Sequence, residues 1–363
     1  MEAIGIDVGF GFTKASNGAQ SVVFKSLIGD HTDIQFQSDF EDTSQVNNLH
    51  VQLKDTSYFV GEMAERQSTV RQFTLDQDKL INEFVKVLAL TAIGLCSDGD
   101  SPSLNVVSGL PVGFFKRDSQ RFKQTLQGSH HLKLFDRRGG EESKQLYINK
   151  VKLLPQPMGS VFNLLMDSSG NLTDKRIAKQ KLGVVDIGFR TTDFILLDRL
   201  RYIERGSSTT NNGMAKCFNL IANKLRQKTG VSVELYRIYD AVTSGSIRIK
   251  GKEYTINALR DRIYAHYAGI IAHDINRIWD QDWDIDAFIL TGGGARELAP
   301  HIQPLLEGNV RTAIHEADPR LNNVLGYSKY GRYDLKRGTQ TAEAGSSKAE
   351  EPEGSKLQKA ASG

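Results

Sequence analysis

Val184-Val185-Asp186-Ile187-Gly188-Phe189-Arg190-Thr191-Thr192-Asp193-Phe194-Ile195-Leu196-Leu197 runs from apolar to polar and back to apolar. The pattern predicts a buried strand, a tight turn and a returning strand. Gly188 can take positive φ and lets backbone come close to a ligand. The turn gathers several N–H groups and the Thr191 and Thr192 hydroxyls in one place, which suits a phosphate. Asp186 ends the buried strand and would set a negative charge beside that phosphate. Such a charge makes sense when a divalent cation stands between them through water. By itself the stretch reads more simply as a hairpin whose polar residues satisfy their own turn.

A second copy changes that reading. Ile4-Gly5-Ile6-Asp7-Val8-Gly9-Phe10-Gly11-Phe12-Thr13-Lys14 is again an apolar strand, Asp-x-Gly, a small-residue turn and a second strand. Two such hairpins, far apart in one chain, can grip one phosphate tail from opposite sides.

Composition bounds the rest. The chain has 363 residues, enough for two domains with their own cores. Hydrophobic content is 39%, charged content 25% and formal net charge +3, too small a charge to argue for nucleic acid or membrane. Cys96 and Cys217 lie in apolar, helix-like stretches and read as buried thiols in a reducing compartment, not as a disulfide or metal site. Asp7 interrupts the only apolar start, so no signal peptide is expected, and no apolar run has the length of a membrane span. A cytoplasmic protein is expected.

Along the chain, residues 21–28 read as a third strand and 51–61 as a small hairpin within a modest subdomain, 30–75. Leu80, Ile81, Phe84, Val87, Leu88, Ile93 and Leu95 predict a helix over 78–95. A strand follows at 104–111, a basic helix at 114–128, then strands over 132–154 around Arg137-Arg138-Gly139-Gly140, and helical spacing at 160–166. The second half repeats the order. Strands at 182–188, 193–198 and 202–206 precede a helix over 214–225, a short hairpin over 246–257 and a long helix over 258–279. Ala287-Phe288-Ile289-Leu290 then leads to Thr291-Gly292-Gly293-Gly294-Ala295. The expected division is 1–157, 158–320 and a returning helix at 321–336. Residues 337–363, poor in apolar groups, are expected to be a disordered tail.

Four loops need one explanation: 7–14, 155–160, 186–193 and 291–295. Each follows a predicted buried strand, where α/β sheets place their ligands. Together with the Ser108-Gly109-Leu110-Pro111 turn and Pro155-Gln156-Pro157-Met158-Gly159-Ser160, they resemble the actin–Hsp70–sugar kinase superfamily, and within it the ParM-type bacterial and archaeal actins that segregate plasmids. The resemblance covers residues 1–335. It implies an α/β protein of two ribonuclease H-like, actin-like ATPase domains flanking a nucleotide cleft. It also implies ATP or GTP with magnesium as the ligand. Asp7 and Asp186 match the aspartates that hold the metal through water. Lys14 matches a lysine that reaches the β- and γ-phosphates. Gly9, Phe10, Gly11, Phe12 and Thr13, with Gly188, Phe189, Arg190, Thr191 and Thr192, match the two phosphate clasps. Gln156 matches the residue that orients the attacking water; a neutral Gln accepts protons poorly, so hydrolysis is expected to be slow. Gly292, Gly293 and Gly294 match the adenosine loop, and residues 322–327 the second connecting helix.

The chain departs from the pattern at Phe10 and Phe12, where many relatives carry hydroxyl or amide side chains, and at Phe189-Arg190. Arg190 adds a phosphate contact or stands in solvent, and solvent is the expectation. Lys216 and Lys224 are candidates for base contact, with a solvated face the simpler reading. His266 and His273 are expected to be structural, since no carboxylate or thiol stands at ligand spacing.

The first functional reading is a filament protein that assembles with nucleotide and hydrolyses it slowly, for segregation of plasmid DNA or intracellular organisation. Its partners would be further copies of itself and a DNA-binding adaptor protein, without membrane or direct nucleic-acid contact. The alternatives are a small-molecule kinase and a non-polymerising or chaperone-like ATPase. No Asp-bearing loop beyond the two expected metal aspartates offers a kinase base, the 30–75 block is small for a substrate lobe, and a chaperone-like ATPase would need a peptide-binding domain where a polar tail is expected.

Overall fold

The computed structural model describes residues 2–34, 44–76, 78, 83–100, 102–136, 140–313, 315 and 317–346, with side chains to 337. Two sheets carry the fold. In the first, Glu2–Val8 runs antiparallel to Phe12–Ser16 and parallel to Ser103–Leu110. In the second, Lys181–Ile187 runs antiparallel to Thr192–Asp198 and parallel to Ala287–Thr291. Each sheet is thus a hairpin whose first strand also pairs with a strand reached by a long crossover. The two predicted hairpins therefore sit at equivalent places in two copies of one topology.

The first sheet has ten strands among the described residues, because Gly128–Phe135 passes it on to the small antiparallel set Leu49–Leu53, Thr56–Val60, Ile28–Asp30 and Arg71–Gln72. The expected strand over 21–28 breaks in two, Ser21–Lys25 and Ile28–Asp30. Its turn is fixed by Ser26, whose N–H donates to the Gly11 carbonyl at 3.0 Å and whose hydroxyl donates to the Gly9 carbonyl at 2.6 Å.

Helix Glu83–Cys96 is apolar nearly all round, and almost every residue of it is buried against the first sheet. Residues 79–82, where its predicted start falls, lie outside the described residues, as do 137–139 of the predicted Arg137 to Gly140 turn. The second sheet is covered on one face by Met214–Thr229, Leu235–Ser244, Asn257–Ile278 and Ala295–Ile302. Helix Leu235–Ser244 is absent from the sequence reading. It is short, but it is bracketed by Gly230 at φ 72° and Gly245 at φ 82°, both left-handed helix ends that only glycine takes cheaply. Cys96 and Cys217 are free and buried, and burial pushes each thiol up to about 12.

The last helix, Asn322–Ser346, returns to the first sheet. Gly5, Gly109 and Gly159 form its seat, and a Cβ on any of them would run into Val324, Asn323 or Tyr327. The helix also runs ten residues past the expected end at 336, into the expected tail; Gln340, Ala342, Glu343 and Ala344 are helix formers that offset Gly338 and Gly345, and no proline interrupts the run. Residues 347–363 of that expected tail lie outside the described residues. No helix among the described residues is long and apolar enough to cross a membrane.

Candidate functional site

The two hairpin turns are built alike. The Gly9 N–H donates to the Phe12 carbonyl at 3.1 Å, and the Gly188 N–H donates to the Thr191 carbonyl at 2.9 Å. In the second turn the carbonyls of Gly188, Phe189 and Arg190 accept from the N–H groups of Met214, Ala215 and Gly213 at 3.1, 2.7 and 3.1 Å. A trans peptide points its C=O and N–H in opposite directions. The N–H groups of Phe189, Arg190 and Thr191 therefore point away from the helix start and towards the cleft.

Both turns open into one cavity of about 390 Å³, lined by Asp7, Gly9, Phe10, Gly11, Phe12, Lys14, Gln156, Asp186, Gly188, Phe189, Arg190, Thr191, Gly292, Gly293 and Gly294. Lys14 Nζ donates to Asp7 Oδ2 at 2.8 Å. Asp186 is buried and accepts at 2.7 Å from Asn323 Nδ2, which the sequence reading had not singled out. Asn323 Oδ1 in turn accepts from the Ser160 hydroxyl at 2.6 Å, so the last helix, helix Met158–Leu165 and Asp186 form one buried polar chain. Burial pushes the Asp186 carboxyl up to about 7 against that hydrogen bond, and the charges of Asp193 and Asp7 add to the rise. A buried carboxylate with a single amide donor, beside the Asp7–Lys14 ion pair and outward N–H groups, suits a cation held next to an anion. Asp7 and Asp186 therefore fit a divalent metal bound through water.

Two sequence-assigned residues do not reach the cavity. Thr13 is fully buried on the far face of its strand, with its hydroxyl 2.9 Å from that of Ser26. Strand alternation sends Phe12 and Lys14 to one face and Thr13 to the other. Thr192 is also fully buried, and its hydroxyl donates to the Asn212 carbonyl at 2.9 Å. Arg190 is not solvated, contrary to expectation. Its guanidinium lies 5.0 Å from the Phe10 ring centroid and 5.5 Å from that of Phe114. Two rings brought from elsewhere in the chain hold this cation by cation–π attraction. Phe189 packs against both cores, and its ring is what a Cβ on Gly11 would strike, so the two hairpins meet there.

Gly292, at φ 91°, is required by the hairpin itself, since a Cβ would collide with Asp186 and Ile187. Gly293 has room on that side and faces only Arg320. Beyond the glycines the cavity continues past Tyr239, Thr243, Arg260, Tyr264, Glu297 and Arg320, none of which the sequence reading assigned. Arg320 stands 4.3 Å from the Phe12 ring centroid while paired with Asp318 at 2.7 Å. Lys216 and Lys224 do not line this cavity; both are exposed. His266 and His273 are exposed as well. Gln156 lines the cavity with its backbone fixed on both sides. Its N–H donates to the Leu110 carbonyl at 2.9 Å, and its carbonyl accepts from the Tyr327 hydroxyl at 2.8 Å.

Residues 5–159 match the family model of the actin-like proteins N-terminal domain, and residues 184–304 match that of the archaeal actin homologue MreB-like C-terminal domain. No curated protein matches the chain significantly. Among solved structures, it is similar to the 15-stranded ParM filament from Clostridium botulinum, at TM-score 0.77 and 23% identity over 92% of this chain and 99% of the other. It is also similar to a non-polymerisable quadruple mutant of pCBH ParM, at TM-score 0.76 and 24% identity over 92% and 99%. The ADP complex of the archaeal actin homologue Ta0583 follows at TM-score 0.74 and 19% identity, over 93% of this chain and all of the other. With its two hairpins, glycine loop and returning helix in one two-domain fold, the chain belongs to the actin-like proteins of the actin–Hsp70–sugar kinase superfamily, with the fold of ParM and the archaeal actins.

Proposed function

We propose that the chain binds a nucleoside triphosphate with magnesium in the cleft, assembles into filaments in that state and hydrolyses the nucleotide slowly. The observation that carries this is the pair of like-built turns, each preceded by a buried aspartate, opening into one cavity from the two sheets. In this reading the N–H groups of residues 10–12 and 189–191 clasp the phosphates, and Lys14 pairs with their charge. Asp7 and Asp186 hold the water shell of the metal. Magnesium, when bound, neutralises charge between these carboxylates and the phosphate oxygens. Gln156 orients the attacking water, and its pinned backbone keeps its side chain at the phosphate end. The base would lie beyond Gly293, between Tyr239 and Tyr264, whether adenine or guanine.

The kinase reading needs a free carboxylate base. Asp193, the other deeply buried carboxylate of the second hairpin, accepts from the Val112 N–H at 2.8 Å, the Thr209 hydroxyl at 2.5 Å and the Thr191 hydroxyl at 3.1 Å. It is committed to holding the two domains together. The likeness to a ParM filament supports self-assembly, with plasmid DNA or other intracellular cargo attached through a DNA-binding adaptor protein. Sedimentation with phosphate release tests the proposal: ATP or GTP with magnesium, and a non-hydrolysable analogue, should each give polymer. Protein that stays soluble with every nucleotide would refute it.

A further inference from the structure

Trp283 is 90% exposed, far more than any other large apolar side chain of the described residues. It is not on a loose loop. Asp282, just before it, is buried and accepts from Arg205 at 2.7 Å and Lys181 at 2.9 Å. Asp286, just after it, accepts from the Lys181 N–H at 2.7 Å. The indole is thus presented on a turn locked at both sides, which removes much of the ordering cost of docking it. Four carboxylates, Asp280, Asp282, Asp284 and Asp286, face two cations, Lys181 and Arg205, so the knob is acidic.

A groove of opposite character lies on the same domain. Its floor includes Leu220, Tyr254 and Leu259; its rim carries Lys224, Lys228 and Arg262, and no carboxylate is among the described residues that line it. Leu220 is 39% exposed there. Lys228 already stands 5.5 Å from the Tyr254 ring centroid, so an aromatic ring at this rim finds cations in place. The groove runs along the first half of helix Asn257–Ile278, as far as His266, and the knob follows the helix's other end, about 18 Å further on. One copy cannot join its own two halves.

Resting on the filament reading above, we infer that Trp283 of one copy docks into the Leu220–Tyr254 groove of the next and forms a longitudinal contact of the polymer. A contact between two different patches is heterologous, and where its rotation does not close a ring it repeats into an open filament. Acidic flanks meet a basic rim, which fixes the register and penalises knob against knob.

Trp283→Ala and Leu220→Asp should each raise the critical concentration for polymer about tenfold or more, as loss of a buried Trp anchor does, while nucleotide affinity by calorimetry stays at the wild-type value. Mixed in equal amounts, the two variants should give dimers and nothing longer, because each keeps the half the other lacks. If wild type stays soluble with every nucleotide, the filament reading falls, and a cross-link still decides the contact. Gln281→Cys in one chain and Thr255→Cys in another, joined by a short bismaleimide at high concentration, should give a dimer that adding Trp283→Ala abolishes. Polymer from Trp283→Ala at the wild-type critical concentration, or cross-linking indifferent to Trp283, overturns the contact and leaves the filament reading standing.

Discussion

Lys25, on the edge strand Ser21–Lys25 of the first sheet, and Asp240, on helix Leu235–Ser244 of the second domain, are joined by a 2.8 Å ion pair at the mouth of the cleft. The same ammonium lies 2.8 Å from Glu62 and from Glu65. These three carboxylates form the one group among the described residues with metal-like spacing, and Lys25 already supplies their counter-charge. Burial by itself would lower the Lys25 ammonium, but its bonds to Asp240, Glu62 and Glu65 outweigh burial and hold it above its ordinary range. Around it, Tyr236 of the same helix packs into the cluster of Leu27, Phe59 and Met63.

The members of this cluster differ in what their loss costs. The Asp240 side chain is 64% exposed, so Asp240→Asn should cost less than about 1 kcal/mol of stability. Its effect belongs on the cleft: release of a fluorescent nucleotide should quicken, by roughly fivefold at most. Lys25→Met takes the ammonium from Glu62 and leaves Glu65 with Arg237 alone, 3.3 Å away, and should cost about 2 kcal/mol in a denaturant titration. Equal losses from the two variants would show that the pair is not divided this way.

Asp186→Ala should leave the fold intact and abolish magnesium-dependent nucleotide binding. The side chain removed is buried between Asn323 and the glycine loop, so circular dichroism must confirm the fold before calorimetry is read. Unchanged affinity with magnesium would remove Asp186 from the metal site.

Gln156→Ala should bind nucleotide normally, slow hydrolysis at least about tenfold, or roughly 1.4 kcal/mol of barrier, and leave polymer longer-lived. Phosphate release and sedimentation on one sample separate these effects. Hydrolysis at the wild-type rate would assign the water to another residue.

His50 sets a pH dependence outside the cleft. Burial pulls its imidazole down from 6.5 to about 4, and the neighbouring His31, stacked at 4.3 Å, pulls the same way. Between pH 6.5 and 4 the unfolded chain therefore binds more protons at this site than the native one. Stability rises with pH through that window and is lost as pH falls through it. Melting temperatures measured from pH 7 to 4 should fall less steeply for His50→Phe, which keeps the ring against Phe59 and Phe135. Parallel slopes would exclude His50 as the source.

Both hairpins were legible because a two-residue period and Asp-x-Gly are local signals. The same period, applied one residue further, separates Phe12 and Lys14 from Thr13, whose assignment came from the resemblance of the loop's backbone and says nothing of where its side chain lies. Arg190 was legible to no local rule: Phe10 and Phe114, which hold it, are brought to it by the fold. The cavity's lining beyond the glycine loop was missed with helix Leu235–Ser244, which supplies Tyr239 and Thr243. That helix has under three turns and no side-chain cap, and only the bracketing Gly230 and Gly245 marked it. Asn323 was assigned to the right helix but not to Asp186, since a contact across so much chain leaves no trace in spacing.

The last helix crosses helix Met158–Leu165 at Gly326 and Gly159, where a Cβ on either residue would strike the other helix's backbone. The chain leaves the first sheet and comes back to it through these two helices. Their crossing is therefore a fulcrum, and the Lys25–Asp240 pair lies at the ends of its two arms. A small turn at the fulcrum would become a change in gap width at the tips. In the proposed reading, a nucleotide that turned this fulcrum would be registered on the outside of the subunit as a length, which a neighbouring copy would meet without touching the nucleotide.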